Sequence, residues 1–325
     1  METLNGVRVI KAARLATVAS TPLSLSLPWQ LFRQRPDITH LHFPYPVGEM
    51  AHYVLGHGRR TVLTYHSDVI RQATILHFYA PLMRRILRAV DQIIVSSPNY
   101  LESSPVLREF RAKCQLVPFG IDRARFLSAN PEQGLAIRSR YGGGPLLLFV
   151  GVLRYYKGLS YLLEAMPKIP ARLLIVGEGP MKESLLTQAE ALRLGDKVIF
   201  AGRVADEDLP AYYRAADLFV LPASERSEAY GLVQLEAMSS GLPVVCTELG
   251  TGTSYVNLHR ESGLVVPPRD PAALAEAITA LLTDHALRRR LAEGALARSA
   301  LFTVEEMLAG ISGVYAQVYS QRSVT

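Results

Sequence analysis

Two glutamates eight positions apart, Glu228 and Glu236, bracket a glycine in Ser227-Glu228-Ala229-Tyr230-Gly231-Leu232-Val233-Gln234-Leu235-Glu236-Ala237-Met238, which runs on into Gly241-Leu242-Pro243-Val244-Val245. A helix that begins near Gly231 points its first N–H groups and the positive end of its dipole away from its body, and that end seats a phosphate. Carboxylates repel phosphate but accept hydrogen bonds from vicinal hydroxyls. At about 1.5 Å per residue the two acids address points roughly 12 Å apart along a helix axis. The pattern therefore suits an extended ligand with hydroxyls at both ends and phosphate between them, the layout of hexose, diphosphate and ribose. Taken alone, such a pair is more often a helix-end acid and a solvated helix residue.

A second cluster carries cations. Gly151-Val152-Leu153-Arg154-Tyr155-Tyr156-Lys157-Gly158 is a strand-to-helix turn in which Arg154 and Lys157 can neutralise a diphosphate without a metal. In isolation these are ordinary surface charges, but the turn follows a strand, where open α/β sheets bind ligands. In the first half, Thr64-Tyr65-His66-Ser67-Asp68 puts a histidine at a strand end, a place where an imidazole either bonds to backbone or does proton chemistry. His40-Leu41-His42 has strand spacing and no third ligand beside it, so it reads as structural. Asp206-Glu207-Asp208 precedes the helical pattern Leu209 to Ala216, where acids favour the first turn, and no metal is expected there.

These residues need strands and helices to hold them. From Gly142 onward apolar runs at Leu146 to Val150, Arg172 to Val176, Val198 to Ala201, Leu218 to Leu221, Pro243 to Cys246 and Gly263 to Val266 alternate with helical patterns, which predicts a parallel sheet with crossover helices. Runs at Val7 to Ile10, Ile38 to His42, Thr61 to Tyr65, Gln92 to Val95 and Gln115 to Val117 predict a second α/β domain. Asp122 to Gly144, with Asn130-Pro131 and three consecutive glycines, has linker chemistry. Helical spacing over Val304 to Gln321 predicts a last helix that crosses back onto the first domain. The expected division is 1–128, 129–302 and a returning 303–325.

With 325 residues, 49% of them hydrophobic, the chain has volume for two cores. An excess of 35 basic over 29 acidic residues favours anionic partners, but the charge is dispersed and no basic-aromatic run reads nucleic acid. The longest apolar stretch, Pro145 to Leu153, is far short of the roughly 20 residues that span a bilayer. Two cysteines, Cys114 and Cys246, without metal spacing, and no signal-peptide pattern imply a cytoplasmic address. Pro81 to Ala89 intersperses Arg84, Arg85 and Arg88 with apolar residues, which suits either peripheral contact with an anionic membrane or a charged helix packed on a sheet.

Together the two glutamates, the cation turn, Val176-Gly177-Glu178-Gly179-Pro180, Phe200-Ala201-Gly202-Arg203-Val204 and Ala215-Ala216-Asp217-Leu218-Phe219-Val220-Leu221-Pro222 resemble glycosyltransferase family 4, the retaining GT-B enzymes. The resemblance implies two Rossmann-like domains facing a central cleft. It implies that Glu228 touches the donor hexose and Glu236 the ribose, that Arg154 and Lys157 meet the diphosphate, and that Arg203 and Val204 lie against the base. Tyr230, Gly231, Leu232 and Val233 would complete the donor site, with His66 as the catalytic histidine. It implies a nucleotide-sugar donor, a glycan or lipid-linked acceptor, and no cofactor. The phrases Tyr65-His66-Ser67-Asp68, Ser96-Ser97-Pro98-Asn99-Tyr100 and Gly250-Thr251-Gly252-Thr253-Ser254 resemble bacterial mannosyltransferases of surface polysaccharide, which implies GDP-mannose. The family's opening strand and Gly-Gly loop are not matched, so the first domain is expected to be incomplete. Two alternatives remain at this point: a donor-binding but catalytically impaired homologue, and an NAD-dependent oxidoreductase, against which stands the lack of G-x-G-x-x-G.

Overall fold

The computed structural model describes residues 2–18, 21–68 and 73–320. The chain divides into two compact units, one of residues 1–96, 104–117 and 309–325, the other of 97–103 and 118–308. The first unit opens with two short antiparallel pairs, β1 (Glu2–Leu4) with β2 (Val7–Val9) and β3 (Ala16–Val18) with β4 (Thr21–Leu23). The run at Val7, expected to begin the parallel domain, instead closes a hairpin on Glu2–Leu4 and is exposed. With so little apolar surface covered, nothing draws it into the core.

The core of this unit is a parallel sheet of β5 (Ile38–Phe43), β6 (Arg60–Tyr65), β7 (Gln92–Val95) and β8 (Cys114–Leu116), in that order. Val62, Leu63, Ile93 and Ile94 are fully buried, as the apolar runs of β6 and β7 require of strands covered on both faces. The helix Ala73–Ala89 contributes Met83, Ile86 and Leu87 to that core, while Arg84 and Arg88 both reach Glu109. The last helix, Val304–Ser320, buries Val314 and Val318, and its residues from 309 onward belong to this unit. Gly310 lies so close to Val117 that a Cβ there would sit 2.7 Å from its methyl.

The second unit holds a six-stranded parallel sheet of β9 (Leu146–Val150), β10 (Arg172–Val176), β11 (Val198–Gly202), β12 (Leu218–Leu221), β13 (Val244–Thr247) and β14 (Gly263–Val266). Its order is β11-β10-β9-β12-β13-β14. The chain thus builds outward from β9 in one direction, then returns to pair β12 on the other side of β9. That reversal creates a crevice at the C-terminal ends of β9 and β12, where doubly wound sheets take ligands. β9 and β12 are buried at every residue.

The segment Asp122 to Gly144 is not a linker. Phe126 is in the core of the second unit, stacked edge-on against Tyr213, and the helix Pro131–Arg140 packs on the helix Leu209–Ala215. The chain passes between units at Val117–Pro118 instead, ahead of the expected boundary at 128 and 129. Asn130 and Pro131, which look like loop chemistry, form the N-terminus of that helix, with Asn130 capping the Glu132 N–H.

Candidate functional site

The crevice of the second unit is lined by two turns. After β9, Leu153 is pinned by its own backbone, its N–H donating to the Glu178 carbonyl at 3.0 Å and its carbonyl accepting from Met181 at 3.0 Å. A tight turn over Tyr155–Lys157 follows and ends at Gly158, whose φ is +68°. A Cβ at Gly158 would stand 1.9 Å from the Pro222 carbonyl oxygen, so only glycine lets this turn approach the one after β12. The Ser224 N–H donating to the Tyr156 carbonyl at 2.8 Å joins the two turns.

This close approach brings Lys157 and Glu228 together. Lys157 Nζ lies 2.5 Å from Glu228 Oε2, and both side chains are about a tenth exposed, at 11% and 9%. The contact is an ion pair without directed hydrogen bonding, since no donor among the described residues is aimed at Glu228 Oε2. The distance establishes charge pairing; the missing direction leaves that oxygen able to accept from another group. The Glu228 main chain is fixed from both sides, its N–H donating to Glu225 at 3.0 Å and its carbonyl accepting from Thr251 Oγ1 at 2.9 Å.

Gly231, with φ +77°, caps the helix Leu232–Ser239. Glu228 therefore precedes the helix, and the rise of about 1.5 Å per residue applies to Glu236 but not across the whole interval. Leu232 is exposed and Val233 half-buried, so the first turn, with its N–H groups lacking intrahelical acceptors, is accessible. Tyr230 is buried, its hydroxyl donating to the Phe119 carbonyl at 3.0 Å, which leaves its main chain as its means of meeting a ligand. Glu236 accepts from the Tyr213 hydroxyl at 2.7 Å. Burial pushes the Glu236 carboxyl above the usual carboxylate range, opposed by that hydrogen bond and by Arg125.

Arg154 is exposed, as is Arg203 at the end of β11, whereas Val204 is half-buried against the core. The second unit so gathers Lys157, Glu228 and the helix N-terminus, with Arg154 and Glu236 on the same two elements. Sequence reasoning missed Tyr213, which comes from the helix Leu209–Ala215 and has no fixed spacing to Glu236. Asp206–Asp208 forms a tight turn ahead of that helix, with all three acids exposed. Among the described residues no three His, Cys, Asp or Glu side chains are grouped to hold a metal ion.

His66 belongs to the first unit and follows β6, its N–H donating to the Phe43 carbonyl at 3.0 Å. His42 Nδ1 is 2.8 Å from His66 Nε2, with the rings stacked. His40 stacks on the other side of His42 and holds Tyr315 Oη at 2.6 Å and Thr64 Oγ1 at 2.7 Å. Burial lowers the pKa of His42, and of His66, where the neighbouring His42 adds to it; for His40, burial first and then the two neighbours bring it to about 4. The structural reading of the H-x-H pair fits His40, whose two ring nitrogens are both engaged. His42 faces the candidate histidine because β5 and β6 run in register, His42 opposite Thr64.

Comparison with known proteins agrees with this fold. Residues 136–298 match the model of glycosyl transferases group 1, and residues 6–125 that of glycosyltransferase family 4. The chain is 43% identical over 277 residues to the D-rhamnosyltransferase WbpZ of Pseudomonas aeruginosa, covering 84% of this chain and 72% of that protein. It is 35% identical over 319 residues to the O-antigen chain mannosyltransferase C of Escherichia coli, covering 97% and 85%. Among solved structures, sucrose-phosphate synthase from Thermosynechococcus elongatus superposes with a TM-score of 0.77 at 29% identity, over 87% of this chain and 74% of that one.

Proposed function

This chain belongs to the group 1 glycosyl transferases, with a family 4 first half and a GT-B fold, and from that membership we propose that it transfers a manno-configured hexose from a GDP-sugar to a growing surface polysaccharide. The two relatives support the sugar: one is named for mannose, the other for D-rhamnose, which is 6-deoxy-D-mannose. The oxidoreductase alternative gives way to the family match.

The observation that carries the reading is the crevice at the ends of β9 and β12, with a buried lysine paired with a buried carboxylate oxygen that accepts no directed hydrogen bond among the described residues. In this reading a hexose hydroxyl donates to Glu228, and Lys157 and Arg154 meet the diphosphate, aided by the main chain of Tyr230, Gly231, Leu232 and Val233. Glu236 accepts from the ribose, and Arg203 and Val204 border the base. As the bond from the anomeric carbon to the diphosphate breaks, negative charge grows on the leaving oxygen, where lysine and helix dipole stabilise it. His66 serves at the transferred sugar, the anomeric configuration is retained, and neither metal nor other cofactor takes part.

The acceptor is a glycan or lipid-linked chain, met by the enzyme at the inner face of the membrane. Of the basic residues on the helix Ala73–Ala89, Arg84 and Arg88 pair with Glu109 and the exposed Arg85 supports peripheral contact there, and no described helix is long and apolar enough to cross a membrane. Co-sedimentation with anionic but not neutral vesicles tests that contact.

The donor is tested with GDP-mannose, GDP-D-rhamnose and UDP-glucose in thermal shift and in transfer to a lipid-linked glycan. Stabilisation by a GDP-sugar that is lost in Glu236→Ala, with transfer reduced roughly 100-fold in Glu228→Gln, is the expected result. No shift with any sugar nucleotide overturns the site. Binding without transfer or hydrolysis identifies a donor-binding homologue instead. Proton NMR of the fresh product reads the anomeric outcome, and an inverted linkage overturns retention.

A further inference from the structure

The first unit carries a contact that the donor site does not explain. His42 and His66 lie on neighbouring strands with ring nitrogens 2.8 Å apart and planes within 15° of parallel. At that separation one nitrogen must donate a proton and the other accept it. The two imidazoles together hold at most one positive charge while the contact lasts. Neither ring can turn over without breaking it.

We propose that His42 is the positioning residue of His66, its Nδ1 holding His66 Nε2 so that the His66 ring keeps one orientation and one tautomer beside the reacting sugar. The inference rests on the reading of His66 as the histidine at the transferred sugar. His42 is itself well supported: its ring stacks on His40 at 4.9 Å between centroids, and His40 is tied to Thr64 on β6 and to Tyr315 on the last helix. The strand register fixes the geometry, since His40 and His42 point to one face of β5 and pair with Val62 and Thr64 of β6. The chain from Tyr315 through His40 and His42 to His66 thus anchors a mobile-type ring to two strands and a helix of the same unit.

Among the described residues, His40 on the same strand stacks on the pair and holds the titratable Tyr315 behind it. Asp68, beyond His66, receives the hydroxyls of Tyr65 and Ser104. A ring fixed in this way keeps one direction, which a rotating imidazole does not, and such supporting contacts set ring basicity and direction.

The test compares His42→Phe, His42→Asn and His66→Ala in donor-saturated transfer, with nitrogen-15 spectra of the histidine side chains. Phenylalanine keeps the flat ring but removes the nitrogen, and asparagine restores a polar atom near the position of Nδ1. We expect His66→Ala to lose roughly 100-fold in kcat. His42→Phe should lose about tenfold in kcat with little change in donor KM, and His42→Asn should recover most of it. In the parent protein the His66 signals should report one tautomer, and a mixture in His42→Phe. Equal transfer by His42→Phe and His42→Asn, beside a large loss in His66→Ala, overturns the positioning role and leaves that of His66 standing. Full transfer by His66→Ala overturns both. Should His42→Phe fail to fold, the parent spectrum still decides, because an even tautomer mixture at His66 refutes the proposal.

Discussion

The two units are both built on parallel sheets, yet they use them differently. In the second, strand order reverses between β9 and β12, and the crevice so made holds a charge pair that is nearly sealed from water. In the first, the described parallel strands step in one direction from β5 to β8, and polar side chains gather along β5 and the end of β6 as a row of mutually contacting imidazoles, with His42 exposed between half-buried His40 and His66. Its ion pair of Arg84 with Glu109 is substantially exposed. A sealed pair is held by the cost of leaving a buried charge unpaired, whereas an open row of histidines answers to pH. The contrast sets a sealed charge pair in one unit against a row of titratable imidazoles in the other.

The sharpest way to break that contrast is to open the sealed pair. Lys157→Ala leaves the Glu228 carboxylate buried and uncompensated, and should cost about 4 kcal/mol in urea unfolding of the second unit. Arg84→Ala, which opens an exposed pair in the first unit, should cost less than about 1 kcal/mol. Hydrogen exchange resolved by segment separates the two units. Equal costs would mean that the Lys157–Glu228 contact is as well solvated as the surface pair, and the contrast would fall.

Next in size is the backbone that forces the two turns together. Gly158→Ala places a methyl against the Pro222 carbonyl at a residue of positive φ, with an expected cost of about 3 kcal/mol and weaker binding of sugar nucleotide, because Lys157 moves with the turn. Thermal melting with and without GDP-mannose reads both. An unaltered melting temperature would show that the approach of the turns is slack and that the pair is not held by it.

Much of the second unit is legible in the sequence. Its six strands fall where apolar runs alternate with helical patterns, because both faces of each strand are covered and almost every residue must be apolar. The helix start at Gly231 is legible for a local reason as well: glycine takes the φ of +77° at the cap without steric cost. What sequence does not carry is long-range pairing. Nothing in the spacing says that Glu228 meets Lys157, that Tyr213 donates to Glu236, or that His42 meets His66, since each contact depends on strand order or register. Asp122 to Gly144 misleads in the opposite direction. Asn, Pro and Gly are loop formers, but Asn130 and Pro131 are also how a helix begins, and only the burial of Phe126 decides between them. At the start of the chain, Val7 to Val9 has strand composition, and composition does not distinguish a sheet strand from a hairpin.

A smaller effect probes how Glu236 is kept ready. Tyr213→Phe removes the hydroxyl that donates to it, with an expected loss of about 1.5 kcal/mol in stability. Because that hydrogen bond counteracts the upward push of burial, its removal should raise the Glu236 pKa further. Donor binding should then weaken at mildly acidic pH more than in the parent, measured by calorimetry across pH 5 to 8. An unchanged pH dependence would place Glu236 outside the donor site.

The smallest effect tests the histidine row itself. His40 has its pKa lowered to about 4 in the folded protein from 6.5 in an open chain, chiefly by burial and then by His42 and His66. The unfolded chain therefore binds the proton first as pH falls, and stability present above 6.5 is lost progressively down to about 4. The ring is only partly buried, so solvent screening limits the loss to about 1 kcal/mol. Glu49, whose carboxyl burial raises, works with the opposite sign, becoming protonated in the folded state before the unfolded one. The difference between parent and His40→Gln isolates the histidine: glutamine keeps a polar side chain beside Tyr315 and Thr64 but does not titrate. Urea midpoints measured from pH 7 to pH 4 should fall more steeply for the parent than for His40→Gln, with the divergence confined to the first unit. Parallel curves would show that the imidazoles do not resist protonation, and that the first unit is no more tuned to pH than the second.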